Sequence, residues 1–417
     1  LINYLCAIKI SALTDKKNRK KYLIASVICN ISFLFFFKYY LFFAETVHPL
    51  VPMPLWKIVL PIGISFYTFQ TISYVIDVYK GEIRAERSFF RFALYVSFFP
   101  QLLAGPIERA KHLLPQIQKM RQFDYARIIS GAELMAVGFF KKTVIADRFA
   151  VYVDSVYANP SITGIPLILA VYFFAFQIYC DFSGYSDIAI GAARILGFDI
   201  MQNFNMPYFA KNIRDFWKRW HISLYTWFRD YVYIPMRGNK VSLIKWCRNI
   251  LFVFIITGFW HGARWTFIFW GLLHGIYIVI SYVGKPLQEK IISKLYIQKY
   301  GSALSLINIV ITFHLILIGW VFFRAESMAR AFNIFVNMAR FEQFSILAKG
   351  TSVVNIIIAI TGIGILLSME WVNQRVPIAR RIAQLLFAIR CAVYVGFVLL
   401  IALFGKIHAQ SFIYFQF

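Results

Sequence analysis

Charge is what this sequence has least of. Only 15% of its 417 residues are Asp, Glu, Lys or Arg, where a soluble chain carries about a quarter. Acidic residues are the scarcer kind, 19 against 44 basic ones. Cysteine supplies no framework either. Cys6, Cys29, Cys180, Cys247 and Cys391 lie far apart, the count is odd and no CxxC pair exists, so neither a disulfide scaffold nor a zinc site is indicated. No other histidine or cysteine cluster has ligand spacing, and no metal is expected. A Gly-rich phosphate loop, a low-complexity linker and a soluble domain are also missing. So are an internal repeat and matching broken helices in two halves, which argues against a transporter.

What is present is apolar. Hydrophobic residues make up 60% and aromatic ones 19%, and the mean hydropathy is +0.64. The expected fold class is an all-α integral membrane protein, one membrane domain over residues 1–417. The net charge of +25 does not call for a nucleic-acid partner. The basic residues cluster in short loops between apolar runs, where orientation in the membrane and anionic lipid headgroups account for them.

Lys16, Lys17, Arg19, Lys20 and Lys21 precede the apolar run 22–43 and place its start in the cytoplasm. Leu1 stands inside an apolar stretch, so the expected N-terminus lies upstream, one or two helices earlier. Further runs lie at 55–78, 89–104, 128–140 and 164–180, and after the middle of the chain at 304–323, 352–371 and 385–404. With the central stretch this makes roughly nine to eleven membrane segments on the length criterion. The basic loop at 375–381 is expected in the cytoplasm.

The central stretch, 249–281, carries one formal charge, Arg264, and two histidines, His261 and His274. A single straight helix would measure roughly 50 Å at about 1.5 Å per residue, against a bilayer core of about 30 Å. It is expected to break at Gly258 and Gly262. Irregular backbone at membrane depth is tolerated where it is buried in protein or lines a wet cavity, and an ionisable group there marks a functional site. His261 sits at that break.

Residues 208–248 carry nine Lys or Arg against Asp215 and Asp230. Ile213, Phe216, Trp217, Trp220, Leu224 and Trp227 fall at helical spacing, which predicts one amphipathic helix lying at the cytoplasmic face with Asn212 as its N-cap. The basic surface of Lys211, Arg214, Lys218, Arg219, Arg229, Arg237 and Lys240 can hold anionic lipid or the phosphates of coenzyme A. Upstream, Asp181, Ser183, Ser186 and Asp187 would need partners at membrane depth, with Arg194 or Arg229 as candidates for the two aspartates.

Six motifs run in order along the chain: Pro100-Gln-Leu-Leu-Ala-Gly-Pro106, Asp181-Phe-Ser-Gly-Tyr-Ser-Asp187, Asn203-Phe-Asn205-Met-Pro207-Tyr208, Asp215-Phe-Trp-Lys-Arg-Trp-His221-Ile-Ser-Leu224, Trp227-Phe-Arg229-Asp230-Tyr-Val-Tyr-Ile-Pro235 and Phe259-Trp-His261-Gly-Ala-Arg-Trp265. The chain then ends Phe412-Ile-Tyr-Phe-Gln-Phe417. Together they resemble the membrane-bound O-acyltransferase (MBOAT) family, on the bacterial branch with alginate and peptidoglycan O-acetyltransferases. The run 233–239 is more like that branch than like teichoic-acid D-alanyl transfer proteins, whose donor would be a carrier protein.

The resemblance implies a ring of tilted helices around a central tunnel, with interfacial amphipathic helices. It maps the family's tunnel histidine to His261 and a second one to His221. It implies acetyl-CoA as a cytoplasmic donor substrate, no permanently bound cofactor, and an extracytoplasmic esterase-like partner that modifies the glycan. The expected location is multi-pass in a bacterial cytoplasmic membrane.

The chemistry of the residues agrees. Transfer from a thioester to a hydroxyl needs a base for the hydroxyl proton and donors for the developing oxyanion, and neutral imidazole suits the first task. His261 is the candidate base. The plainer alternative is a buried histidine bonded to a backbone carbonyl. His221 is expected to bind donor or orient acceptor, the alternative being an interfacial anchor. Asn203 and Asn205 either donate to an acyl carbonyl or cap a turn before Pro207. Arg219, Trp220, Arg229, Asp230 and Trp260 lie in the motifs and join Asn203, Asn205, Asp181 and Asp187 as candidate substrate-binding residues. His274 and His314 are expected to make structural hydrogen bonds, and His48, His112 and His408 to lie in loops or at segment ends.

Overall fold

The computed structural model describes residues 1–102, 105–294, 301–347, 351–375, 378–406 and 412–413. His408, residues 103–104 of the first motif, 414–417 of the last and part of the 375–381 loop lie outside the described residues. Among the described residues every regular element is helical, and seven helices are long and apolar enough to cross a membrane. They are α1 (Lys16–Val47), α4 (Ile165–Ile195), α7 (Leu243–His261), α8 (Trp265–Val283), α9 (Gly301–Arg324), α10 (Val353–Asn373) and α11 (Phe387–Phe404). The wider sequence count took in three more runs, which form shorter or more charged helices. These are α2 (Ile64–Lys80), Phe89–Ser97, and α3, which runs Tyr125–Phe139, through a π turn at Phe140–Ala146, and on as Asp147–Ala158.

Local chemistry sets the ends. Asp15 starts α1 by accepting from the backbone N–H groups of Lys17 and Asn18 at 3.2 and 3.0 Å, satisfying two of the donors a helix start leaves open. Two shorter helices, α5 (Ile213–Arg219) and α6 (Ile222–Phe228), precede α7.

Burial orders the layers. In α4, 72% of the most apolar window is buried, and in α11 none of it is, so α4 is the central post and α11 a peripheral helix with apolar residues such as Val395 and Leu403 exposed. A bilayer covers such surface without the cost that water would impose. α3 lies directly on α4 through two glycine pairs. A Cβ on Gly138 would stand 2.5 Å from the Gly184 carbonyl oxygen, and one on Gly131 2.7 Å from that of Gly191. Glycines seven residues apart on both helices let the backbones touch along one stripe.

Three π turns occur among the described residues, at Phe35–Tyr39, Phe140–Ala146 and Arg229–Tyr233. Each carries a charged side chain that finds an internal partner: Lys38, Lys141 with Lys142, and Arg229 with Asp230. Such widened turns are frequent at functional sites.

Two expectations change. The stripe at 213–227 does not lie on one surface helix. The helix breaks at Trp220–His221, and Ile213, Phe216, Trp217, Trp220, Leu224 and Trp227 are all buried in the main core. The stripe faces protein, and only the basic residues around it stay outside. In the central stretch the break falls at 262–264, after His261, and Gly258 remains inside α7, facing Gly271 of α8. Because α7 starts at Leu243, it is long enough to span alone.

Outside the spans, His112 lies on the short helix Ala110–Ile117 and donates through Nδ1 to the buried Glu108 carboxylate. Glu108 also accepts from the Met201 N–H at 2.7 Å. The hydrogen bond to Glu108, opposed by partial burial, raises the His112 pKa above its ordinary 6.5. A raised folded value means this contact stabilises fully below about 6.5 and is lost as pH rises through the raised value. Thermal midpoints in detergent are expected to fall with rising pH across that window, and His112→Gln should flatten the dependence. An unchanged slope in the variant refutes the link.

Candidate active site

His261 is the last residue of α7. Gly262 is extended, at φ −169° and ψ 154°, and a Cβ there would stand 2.3 Å from the Phe267 ring. The chain turns in three residues and α8 starts, with the Phe267 N–H bonded to the Arg264 carbonyl at 3.2 Å. The ending leaves carbonyls of α7 without helical donors. Side chains of α1 meet three in succession. The Tyr39 hydroxyl donates to Phe259 O at 3.2 Å, and Lys38 Nζ donates to Trp260 O at 2.6 Å and His261 O at 3.2 Å. Sequence reasoning passed over Lys38, although it is the single charge in the apolar run 22–43.

His221 stands at the α5–α6 break with φ 44° and ψ 54°, one of three non-glycine residues with positive φ among those described. That conformation costs an L-residue roughly 1–2 kcal/mol and persists where the surroundings impose it. Asn203 does so here. Its carbonyl accepts from the Ile222 N–H at 2.9 Å, its Oδ1 accepts from the Ser223 hydroxyl at 2.6 Å, and its Nδ2 donates to Ser186 Oγ at 3.2 Å. Asn203 has no exposed surface, so its amide is committed to holding the His221 turn. Asn205 pairs through its backbone with Arg219, whose carbonyl accepts from the Asn205 N–H at 3.0 Å.

The two histidines meet inside the protein. Their ring centroids lie 6.3 Å apart, and they are 1% and 4% exposed. Phe182 of α4 and Trp260 stand 4.7 and 6.0 Å from His221. Trp260, Trp270 of α8 and Phe323 of α9 stand 5.0, 5.2 and 5.4 Å from His261. Phe66 of α2 packs on both His221 and Trp260. Residues far apart in sequence thus form one aromatic box around two imidazoles, a place where water is scarce and electrostatic interactions are strong.

The other candidates frame the box. Trp220 is buried against Phe216, Phe204 and Trp320. Asp181 pairs with Lys142 at 2.5 Å and accepts from the Ile413 N–H at 2.7 Å, and Asp187 pairs with Lys141 at 2.8 Å. The expected arginine partners are elsewhere: Arg194 donates to Ser130 Oγ and Arg229 to Asp230. The reason is the α3 π turn, which aims two consecutive lysines at α4. Arg219 pairs with Asp215 at 2.8 Å, and Asp230 lies 3.9 Å from the buried Arg109. Lys211, Arg214, Lys218, Arg229, Arg237 and Lys240 are exposed, and none of them enters the box.

His314 is structural as expected, with Nε2 2.7 Å from the Tyr172 hydroxyl and Nδ1 2.8 Å from Val310 O. His274 departs from expectation. It is fully buried between Trp217 and Trp270 and has no hydrogen-bond partner among the described residues. Close approach by Gly319, whose Cβ would lie 2.5 Å from His274 Nε2, leaves ring packing to hold it. Near the α7–α8 turn a cavity of about 280 Å³ is lined by Lys38, Trp56, Lys57, Gly262 and Arg264 among others.

Comparison with known proteins finds relatives of the sequence. The family model of the membrane-bound O-acyltransferases (MBOAT) matches residues 82–325, which include both histidines. The probable alginate O-acetylase AlgI of Pseudomonas aeruginosa is 39% identical over 350 residues, 82% of this chain and 65% of that protein. The peptidoglycan O-acetyltransferase of Helicobacter pylori is 37% identical over 372 residues, 81% of this chain and 68% of that protein. The teichoic acid D-alanyltransferase of Bacillus subtilis is more distant, 29% identical over 328 residues, 76% of this chain and 80% of that protein. The chain spans about two thirds of the length of the O-acetylating relatives it matches. With seven helices able to cross a bilayer and more than half its length matched by the family model, the chain is a multi-pass membrane protein and belongs to the membrane-bound O-acyltransferase family.

Proposed function

We propose that this chain is an integral-membrane O-acetyltransferase that moves acetyl from cytoplasmic acetyl-CoA across a bacterial cytoplasmic membrane for O-acetylation of an envelope polysaccharide, peptidoglycan or an alginate-like glycan. One observation carries the reading: His221, at the α5–α6 break, and His261, at the end of α7, stand with rings 6.3 Å apart in a buried aromatic box.

In this reading His261 takes the proton of the acceptor hydroxyl as that oxygen attacks the thioester carbonyl. The C–O bond forms, the C–S bond breaks, and the leaving thiolate takes the proton back from His261, so that coenzyme A departs as the thiol and the imidazole is neutral again. His221, locked by its left-handed backbone, orients donor or acceptor beside it. The oxyanion needs donors. Asn203 is committed elsewhere, whereas the indole N–H groups of Trp260 and Trp270, both in ring contact with His261, have no hydrogen-bond partner among the described residues. They are the donors available to it. The exposed basic residues of 211–240 suit the phosphates of the donor. An extracytoplasmic esterase-like partner completes delivery to the glycan.

The test uses protein in lipid vesicles with labelled acetyl-CoA. Release or transfer of label that depends on the chain is expected, increasing when the extracytoplasmic partner is added. Label transfer only from a D-alanyl carrier protein, with acetyl-CoA inert, would favour the D-alanyl reading that the Bacillus subtilis relative suggests.

A further inference from the structure

We propose that Lys38 is the positioning residue for His261: its ammonium clamps the open end of α7 and thereby sets where the imidazole stands. The inference rests on the acyltransferase reading above.

The geometry is specific. α7 ends at the residue proposed as base, and its last carbonyls have no helical donors. An ammonium has three N–H donors and no acceptor. Lys38 Nζ has three acceptors, Ser65 Oγ at 3.1 Å, Trp260 O at 2.6 Å and His261 O at 3.2 Å. No ion pair to a carboxylate is formed by Lys38 among the described residues, so its charge serves the helix end, where a cation is favoured by the helix dipole. The next residue, Tyr39, donates to Phe259 O and stacks on the Phe259 ring at 4.2 Å. Both side chains come from the π turn Phe35–Tyr39, whose widened path brings consecutive residues of α1 onto consecutive carbonyls of α7. Lys38 also passes 5.6 Å from the Trp260 ring, a second wall of the box.

The role is positional, because Lys38 touches the backbone of His261 and no reacting atom. A shift of about 1 Å in a catalytic group can cost about 100-fold in rate. In vesicles with labelled acetyl-CoA, Lys38→Met is expected to lower kcat about 10–100-fold with the donor KM unchanged within about twofold, while Lys38→Arg, which restores a cation with several N–H donors, recovers most of the rate. A merely structural tie would lower the yield of folded protein and leave kcat per folded molecule unchanged, so wild-type kcat in Lys38→Met overturns the clamp. A rise in donor KM with kcat intact overturns it too, in favour of a binding role. Should Lys38→Met fail to assemble, Lys38→Gln retains two donors and is expected to show an intermediate loss of kcat; wild-type kcat there is equally fatal. Normal loss in His261→Ala beside an unaltered Lys38→Met sinks only the clamp. A wild-type chain with no transfer, or one indifferent to His261→Ala, sinks the acyltransferase reading and the clamp with it.

Discussion

Replacing His261 by alanine is expected to lower acyl transfer by about 10²–10⁴-fold, the range lost when a general base is removed. The fall should lie in kcat, since the imidazole is needed when the hydroxyl proton leaves, and donor KM should change little. The variant should still assemble. His261 is held through its backbone by Lys38, and its ring is walled by Trp260, Trp270 and Phe323, which stay packed on their own helices. His221→Ala in parallel should raise KM for donor or acceptor more than it lowers kcat, because the ring stands beside the base. Initial rates with labelled acetyl-CoA separate the cases. Full activity in His261→Ala would remove the catalytic assignment.

The largest effect on stability is expected at Lys142. Its ammonium lies 2.9 Å from Asp147 and 2.5 Å from Asp181, whose side chains are 1% and 4% exposed. Lys142→Met leaves two buried carboxylates facing each other without their cation. Breaking a buried pair from one side costs about 3–5 kcal/mol, enough to take a marginally stable protein to low yield or a much lower thermal midpoint in detergent. Adding Asp147→Asn and Asp181→Asn removes the stranded charge and should restore most of the loss. A normal midpoint in Lys142→Met alone would mean that water reaches this site and that α3 and α4 are held together by their glycine stripe without the ion pair.

Much of the candidate site can be read from the chain. His261 and His221 are the two histidines whose motifs promised chemistry, and they are the two that the fold brings into one box. Their neighbours are less legible. Asn203 offered two equal readings, and only the backbone at His221 shows that it holds a turn. The stripe at 213–227 has the spacing of a surface helix, because a face that packs on protein and a face that packs on lipid are equally apolar. The lysine partners of Asp181 and Asp187 come from α3, more than thirty residues upstream, and depend on a π turn whose extra residue leaves no mark in an apolar sequence.

Composition and local pattern alone determined that this chain is helical and spans a membrane many times, and which side chains are chemically unusual for that setting. These follow from solvation: apolar runs of sufficient length have one stable environment, and a lone His or Lys within one is costly unless it has a use. Tertiary structure alone decided which of these unusual groups meet. Lys38 and His261 are separated by 223 residues, and their contact follows from how α1 crosses the end of α7. That crossing is set by close packing of whole helix faces, a property summed over many weak contacts that no short stretch of sequence records.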